Sequence, residues 1–347
     1  MQRNPFAINF GKVPSQYISR DLIIDEIIQE LTDENPQTQC FMLTGTRGSG
    51  KTVTMTAIEK EVSQLDDWII IRLNPARDML ESLVAKLYDS KDYITKFISA
   101  NINLSKFGIG LALESAAPVA DIESALEKIL KEIKKRSKRL LITIDEVSST
   151  NYMRQFASSF QIMIREDFPV FLLMAGLYEN ISALENEKDL TFLYRTPKYD
   201  MEPLNLTLIA EQYRALWDLS VDESMEMAIL TKGYPFAYQV LGKYLWEEET
   251  HRITPTVLAR FDEALSHYVY SKIWSELSAK DRWYMSFIVK KESISTAELL
   301  ELSGQKQNEF SQYRARLRDK GLINVSQHGM ISYKLPRFDV FVNSQNY

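Results

Sequence analysis

Short apolar runs alternate along this chain with stretches whose apolar residues recur every three or four positions. The runs are rich in β-branched and aromatic residues and are bounded by polar turns, as buried strands are. They occupy residues 39–44, 68–73, 139–144 and 169–175. The stretches between them, such as 53–65 and 122–134, predict amphipathic helices. Because strands that alternate with helices form parallel sheets, the pattern predicts an α/β fold with helices on both faces of the sheet.

One segment interrupts this alternation. Residues 95–117 include Gly108 and Gly110, whose spacing suggests the start of a dinucleotide-binding fingerprint. Leu113 stands where the third glycine would be, and no capped helix follows. We therefore predict an inserted hairpin or loop at this point of the chain.

The turn after the first predicted strand carries the strongest chemical signal. Residues 45–52 read GTRGSGKT and complete the G-x-x-x-x-G-K-[ST] phosphate loop of P-loop NTPases. Its glycines let successive N–H groups turn toward phosphates, and the following helix points the positive end of its dipole at them. We expect Lys51 to reach the β- and γ-phosphates of ATP or ADP, and the Thr52 hydroxyl to hold Mg²⁺. The predicted nucleotide-binding residues of the loop are Gly45, Thr46, Arg47, Gly48, Ser49, Gly50, Lys51, Thr52 and Val53.

The strand predicted at 139–144 ends in two carboxylates, Asp145 and Glu146. At the carboxyl end of a parallel strand, Asp145 can hold Mg²⁺ directly or through water. Glu146 is placed to polarise an attacking water, which favours hydrolysis over phosphate transfer to an acceptor. A strand that ends in Asp-Glu is common, so this interpretation depends on the phosphate loop upstream. A P-loop kinase is the less favoured alternative, since no acceptor-specific lid is visible.

Composition narrows the class of protein. The chain has 347 residues, of which 45% are hydrophobic and 25% charged, so two or three domains are expected. Its single cysteine, Cys40, excludes an internal disulfide framework, and its three histidines are too far apart in sequence to suggest a metal site. The N-terminus lacks an apolar signal region and no apolar run could span a bilayer, which predicts a cytoplasmic location.

Charge is unevenly distributed along the chain. The formal net charge is −6, but residues 272–347 carry twelve Lys or Arg against eight Asp or Glu, a net +4 that leaves −10 for the rest. A basic region on an acidic body is compatible with nucleic-acid binding without requiring it.

This basic region has the pattern of a winged helix. Helices are predicted at 279–289, from the capping pattern 295–298 to 304, and at 307–320, followed by a hairpin over 322–335. The third helix of such a module can lie in a DNA major groove, although winged helices also dock proteins. Phe310, Tyr313 and Leu317 have the spacing of core residues. Candidates for phosphate contact are Lys306, Arg314, Arg316, Arg318, Lys320 and Lys334. Candidates for contact with base edges are Gln307, Asn308, Ser311 and Gln312.

The phosphate loop, the strand that ends in Asp145 and Glu146, and the C-terminal pattern together resemble the AAA+ superfamily. The resemblance is to the clade of origin-recognition and archaeal-type ATPases, with features of the STAND signalling ATPases, and it covers nearly the whole chain. It implies that Tyr17, Ile18 and Arg20 contact the adenine, although Ser19 and Asp21 replace the glycine and glutamate of the family. Alternatively, Ser19 caps a helix at 22–31.

The same resemblance implies two further site residues. Arg195, before a predicted fifth strand at 198–201, corresponds to the arginine finger that stabilises transition-state charge in a neighbouring subunit, unless it is simply solvated. Pro235 corresponds to the proline of the STAND Gly-x-Pro motif, which packs on the base, unless it only opens a helix. The polar sensor after the fourth strand is missing, or is displaced to Asn180, and no second-sensor arginine is found. These departures favour a slow switch over a fast motor.

We therefore predict an α/β ATPase domain over 1–205, a helical lid over 206–271 and a winged helix over 272–347. The predicted protein is a slow Mg²⁺-dependent ATPase that acts as a nucleotide-controlled switch and binds double-stranded DNA. The alternative is a signalling or defence ATPase whose winged helix docks protein and whose ATP state controls self-association. The expected partners are ATP, DNA and another protein or a further copy of the chain, but no membrane.

Overall fold

The computed structural model describes residues 3–8, 14–89, 121–288 and 293–345. The predicted insertion at 95–117 lies outside these residues. The described residues form two compact units. The sheet unit comprises residues 20–44 and 54–200, whereas the C-terminal unit comprises the residues up to 19, residues 45–53 and those from 201 onward.

A five-stranded parallel sheet forms the centre of the sheet unit, with strand order β2-β3-β4-β1-β5. Thr44 of β1 lies beside Gly176 of β4 and Asp200 of β5. Because the strands are parallel, β1 and β3 end at the same edge of the sheet, the edge at which open α/β folds bind ligands. The strands are β1 Cys40–Thr44, β2 Trp68–Leu73, β3 Arg139–Ile144, β4 Val170–Gly176 and β5 Lys198–Asp200.

Helices cover both faces of this sheet. All residues of β1 and β4 are buried, as are all but the first of β3, so these strands have the continuous apolar character of a doubly covered parallel sheet. The predicted α/β P-loop fold is thus confirmed. The helices are α1 Asp21–Thr32, α2 Lys51–Val62, α3 Met79–Asp89, α4 Ile122–Lys135, α5 Asn151–Arg165 and α6 Tyr178–Glu185.

The C-terminal unit is mainly helical. Its first helices are α7 Leu206–Leu216, α8 Val221–Thr231, α9 Pro235–Glu247 and α10 Pro255–Leu265. A π-helical turn, Ser266–Tyr270, and the short helix α11 Ser271–Ser275 continue directly from α10. Buried side chains from these helices and from the last part of the chain, including Phe261, Tyr284 and Phe338, share one apolar core.

The last part of the chain combines helices with a small antiparallel sheet of order β6-β8-β7. Phe310 and Leu317, predicted as core residues, are buried, and Tyr313 is half-buried. The elements are α12 Ala279–Ile288, β6 Ser293–Ser295, α13 Thr296–Ser303, α14 Gln307–Asp319, β7 Ile323–Asn324, β8 Met330–Tyr333 and α15 Phe338–Ser344.

Two local predictions about helix starts have opposite outcomes. Ser295 caps α13, because its hydroxyl accepts a hydrogen bond from the Glu298 N–H at 3.1 Å, as the capping pattern predicted. The alternative role of Ser19 as the cap of α1 is wrong. Arg20 occupies the N-cap position of that helix, and no side chain caps it.

Candidate functional site

The phosphate loop connects the end of β1 to the start of α2. Gly48 and Gly50 have φ angles of +73° and +93°, which glycine adopts at little cost, so the backbone can turn tightly at both positions. The Lys51 ammonium donates to the carbonyls of Gly45 and Thr46 at 2.9 and 2.7 Å. An ammonium and the backbone N–H groups of a helix N-terminus thus lie at the same loop, an arrangement that can bind phosphate.

Three consecutive residues at the start of α9 contact this loop. The Tyr234 hydroxyl donates to the Arg47 carbonyl, and the Phe236 N–H donates to the Gly48 carbonyl at 3.2 Å. Pro235, the first residue of α9, lies so close to Gly50 that a β-carbon added there would be 3.8 Å from the proline ring. Pro235 therefore opens a helix and faces the phosphate loop, whereas its contact with the base stays a prediction.

Tyr234 and Phe236 were missed by the sequence analysis. The Gly233-Tyr234-Pro235 motif located the turn but not the roles of the neighbouring side chains. Burial raises the pKa of Tyr234 above its usual range, although the charge of Arg47 opposes this, so the hydroxyl stays protonated and donates. Gly233 fixes the turn, because its φ is +71° and an added β-carbon would lie 2.4 Å from the Leu204 carbonyl oxygen.

Arg47 makes a second contact that the sequence did not indicate. Its guanidinium pairs with Glu276, which follows α11, through Nη2–Oε1 at 2.8 Å and Nε–Oε2 at 3.4 Å. Lys272 lies 3.3 Å from the same Oε1. Burial alone would raise the pKa of Glu276, but the hydrogen bonds and charges of Arg47 and Lys272 outweigh it and lower this pKa below the ordinary value.

The N-terminal segment packs against the helices of the C-terminal unit. The buried Phe6 contacts the rings of Tyr213, Trp217 and Tyr238. Among the residues implied by the family resemblance, Ile18 is buried, and the buried Tyr17 hydroxyl has no hydrogen-bond partner among the described residues.

The N-terminal residues Tyr17 and Ile18, the phosphate loop and Pro235 therefore belong to one compact unit. Arg20 is half-buried and belongs to the sheet unit, as do the candidate catalytic residues described next.

The two carboxylates lie at the end of β3, as predicted. Glu146 has a φ of +55°, a conformation that costs a non-glycine residue energy and that occurs often at functional sites. It is held by two hydrogen bonds: the Glu146 N–H donates to Asp145 Oδ1, and the Val147 N–H donates to the Ala175 carbonyl, both at 2.9 Å. The Glu146 side chain is exposed, so it is accessible to water.

Arg195 ends a 3-10 turn, Thr191–Arg195, just before β5. Its side chain is exposed, and no ion pair among the described residues involves it. The neighbouring Tyr194 is 71% exposed, and Lys198 lies 5.2 Å from the centre of its ring. Asn180, the candidate for a displaced sensor, is half-buried near the start of α6.

Several basic residues proposed to contact DNA are paired with carboxylates. Arg316 of α14 donates to Asp281, a residue only 2% exposed, and Ser278 donates to the same carboxylate at 2.7 Å. Arg318 pairs with Asp319 at 2.7 Å, and Lys334 lies 3.6 Å from Glu202.

The other basic candidates differ in their exposure. Arg314 is half-buried, and its Nε is buried without a partner among the described residues. Lys320 is half-buried, and Lys306, the N-cap residue of α14, is exposed. The polar residues Gln307, Asn308, Ser311 and Gln312 are all exposed.

Comparison with known proteins agrees with this fold. The sequence profile of an ATPase domain predominantly from Archaea matches residues 18–171, and that of a domain of unknown function (DUF8462) matches residues 267–342. No curated protein matches the sequence. No helix in the described part of the chain is long and apolar enough to cross a membrane.

Two solved structures are similar over nearly their whole length. The Walker-type ATPase Paby2304 of Pyrococcus abyssi has a TM-score of 0.65 at 13% identity, with 94% of this chain and 95% of that chain covered. The ORC2 protein of Aeropyrum pernix, solved as ADPNP-ADP complexes, has a TM-score of 0.60 at 14% identity, with 97% and 96% covered. The chain therefore has an α/β P-loop fold similar to that of these two proteins, and its residues 18–171 match the profile of an archaeal-type ATPase domain.

Proposed function

We propose that this ATPase is a slow nucleotide-controlled switch in which the lid residues Tyr234, Pro235 and Phe236 respond to the phosphate loop. The contact of all three residues with Arg47, Gly48 and Gly50 carries the proposal. A ligand that moves or orders the loop must act on these contacts. The three lid residues begin α9, and side chains of α9 share one apolar core with the last part of the chain. A change at the phosphate loop can therefore reach residues 272–347.

The residues of the chain can be assigned roles in binding and hydrolysis. Lys51 and the loop N–H groups would bind the phosphates, and the Tyr17 hydroxyl and Pro235 would contact the base or sugar. The Thr52 hydroxyl and Asp145 carboxylate are oxygen donors of the kind Mg²⁺ prefers, and the ion would neutralise developing charge on the phosphates. Glu146 would orient the attacking water, and Arg195 of a second copy would stabilise the transition state.

Two variants test the nucleotide part of this proposal. Lys51→Ala is expected to abolish tight ATP binding measured by calorimetry, because the ammonium at the loop is lost. Glu146→Gln is expected to retain binding but lose turnover, since an amide cannot act as a base. Glu166→Gln, at an exposed position directly after α5, is a charge-matched control expected to behave as wild type. Equal turnover in wild type and Glu146→Gln would remove Glu146 from this role.

For the output of the switch we propose double-stranded DNA, bound by residues 272–347 acting as a winged helix. The exposed polar side chains Gln307, Asn308, Ser311 and Gln312 lie along α14 at positions that suit contact with base edges. The buried Asp281 holds Arg316, whereas the pair of Arg318 with Asp319 is exposed and weak, so the phosphate contacts fall mainly to Lys306 and Arg318. Lys306→Gln with Arg318→Gln should weaken duplex binding and reduce its salt dependence in fluorescence anisotropy, compared with the control Lys128→Gln in α4 of the sheet unit.

One observation favours the alternative output, docking of a protein. Arg316, Arg318 and Lys334 are each paired with a carboxylate, so the positive field offered to DNA is weaker than the sequence suggested. If duplex DNA does not bind in the ATP, ADP or nucleotide-free state, a signalling switch that controls self-association becomes the better proposal. Sedimentation of the protein with ATP and with ADP would then report the change of assembly directly.

A further inference from the structure

The ion pair between Arg47 and Glu276 joins the phosphate loop to the residue that follows α11. Arg47 stands between the first two glycines of the loop, and its carbonyl already accepts the Tyr234 hydroxyl. Glu276 follows α11, the last part of the continuous helical run that begins at Pro255. One side chain of the nucleotide-binding loop thus holds the end of that run.

The residues after Glu276 extend this connection to α14. The Ser278 hydroxyl donates to Asp281 at 2.7 Å, and the same buried carboxylate accepts from Arg316 of α14. Arg282 donates back to the Ser275 carbonyl at 3.3 Å. A short stretch of chain therefore carries both the contact with the phosphate loop and the contact that orients α14.

The guanidinium group makes the contact of Arg47 with Glu276 sensitive to nucleotide. A guanidinium binds carboxylate and phosphate through the same paired N–H groups, and phosphate carries the greater charge. The two side chains are 32% and 33% exposed, so the pair is weak enough to be displaced. Lys272, 3.3 Å from Glu276, can hold the carboxylate after Arg47 leaves it.

We propose that Arg47 and Glu276 form a nucleotide-sensitive latch, in which the phosphates of a nucleoside triphosphate compete with the Glu276 carboxylate for the Arg47 guanidinium. The proposal rests on the proposed function, since it requires nucleotide at this loop. When the latch is closed, the segment from Lys272 to Asp281 is tied to the loop. When it opens, that segment and the attached α14 are free to move.

The test is a double-mutant cycle on ATP affinity, measured by calorimetry with Mg²⁺ on the full chain. Glu276→Gln removes the competing charge and is expected to tighten ATP binding about threefold, the effect of one partly exposed ion pair. The same substitution in an Arg47→Gln background should give no gain. Glu263→Gln, an exposed carboxylate on α10 of the same helical run, is the matched control and should leave the affinity unchanged.

Hydrogen exchange of residues 272–282 gives a second measurement. In the wild type, ATP is expected to speed exchange in this segment, whereas in Glu276→Gln exchange should be fast with and without ATP. Slower exchange with ATP in the wild type would overturn the latch.

The outcomes separate the latch from the function on which it rests. Unchanged or weaker ATP binding by Glu276→Gln would overturn the latch, and so would a gain that persists without Arg47, because the charge would then act on ATP directly. Absence of Lys51-dependent ATP binding in the wild type would overturn the proposed function, and the latch with it. Failure of the latch alone would leave the Lys51-dependent binding intact.

Discussion

Replacement of Gly48 by alanine tests the contact between the start of α9 and the phosphate loop. The new β-carbon would lie 2.3 Å from the Tyr234 hydroxyl oxygen and 3.0 Å from the Phe236 β-carbon, so both side chains must shift. The displaced hydroxyl would lose its bond to the Arg47 carbonyl in a buried site, at a cost of about 1–3 kcal/mol. A left-handed φ adds about 1 kcal/mol for alanine. We expect a total loss of about 2–4 kcal/mol in the free energy of unfolding.

The chain offers a matched control for the backbone part of this cost. Gly329, in the turn before β8, has the same φ of +73°, but an added β-carbon would meet no atom within 4 Å. Gly329→Ala should therefore cost only about 1 kcal/mol. The difference between the two variants isolates the crowding against Tyr234. Adding Tyr234→Phe to Gly48→Ala should recover part of the loss, because the closest atom is removed.

Urea unfolding without nucleotide measures these effects. The C-terminal unit contains Trp217, Trp246, Trp274 and Trp283, four of the five tryptophans, so tryptophan fluorescence mainly reports its unfolding. Midpoints converted with a common slope give the differences in free energy. If Gly48→Ala is no more destabilising than Gly329→Ala, the start of α9 does not contact the phosphate loop as described, and the proposed switch is refuted.

Three further predictions follow from other parts of the molecule. Gly242→Ala would place a β-carbon 2.3 Å from the Phe6 ring, so residues 3–8 should detach from the helices they pack against. Limited proteolysis should then cleave this segment faster than in the wild type, and an unchanged digestion pattern would contradict the prediction. Asp281→Asn should lower the free energy of unfolding of the C-terminal unit by about 1–2 kcal/mol. This is less than for a fully buried ion pair, because Arg316 is 45% exposed. Equal urea midpoints for the variant and the wild type would contradict this prediction. Burial raises the pKa of the Cys40 thiol to about 12, so the thiol stays protonated through mildly alkaline pH. It should therefore react with a thiol reagent only when the protein unfolds. Rapid labelling of the folded protein at pH 8 would refute this prediction.

Local patterns in the sequence were enough to predict most of the sheet unit. The strand predictions at 68–73 and 139–144 match β2 and β3 exactly in extent, and the others agree to within two residues at each end. This success has a simple cause. Buried parallel strands need continuous apolar residues and amphipathic helices need a regular period, so the information lies within each segment. The phosphate loop is equally local, because its function depends on consecutive backbone groups.

Contacts between distant residues could not be predicted in this way. Nothing near Arg47 in the sequence indicates Glu276, 229 positions later, or the hydroxyl of Tyr234 on its carbonyl. Similarly, Arg316 fitted a DNA-binding face by its spacing, but the buried Asp281 from another helix holds it. Such partners are chosen by how helices pack, and spacing along one helix contains no information about the charge that another helix brings to it.

The sequence by itself thus determined the α/β P-loop fold, the phosphate loop and the carboxylates at the end of β3, because each depends on a short run of residues. Only the tertiary structure decided that Tyr234, Pro235 and Phe236 sit on the loop, that Arg47 pairs with Glu276, and that Arg316 is held by Asp281. The physical reason is range: backbone conformation and periodicity act over a few residues, whereas burial and ion pairing act between any side chains that packing brings together.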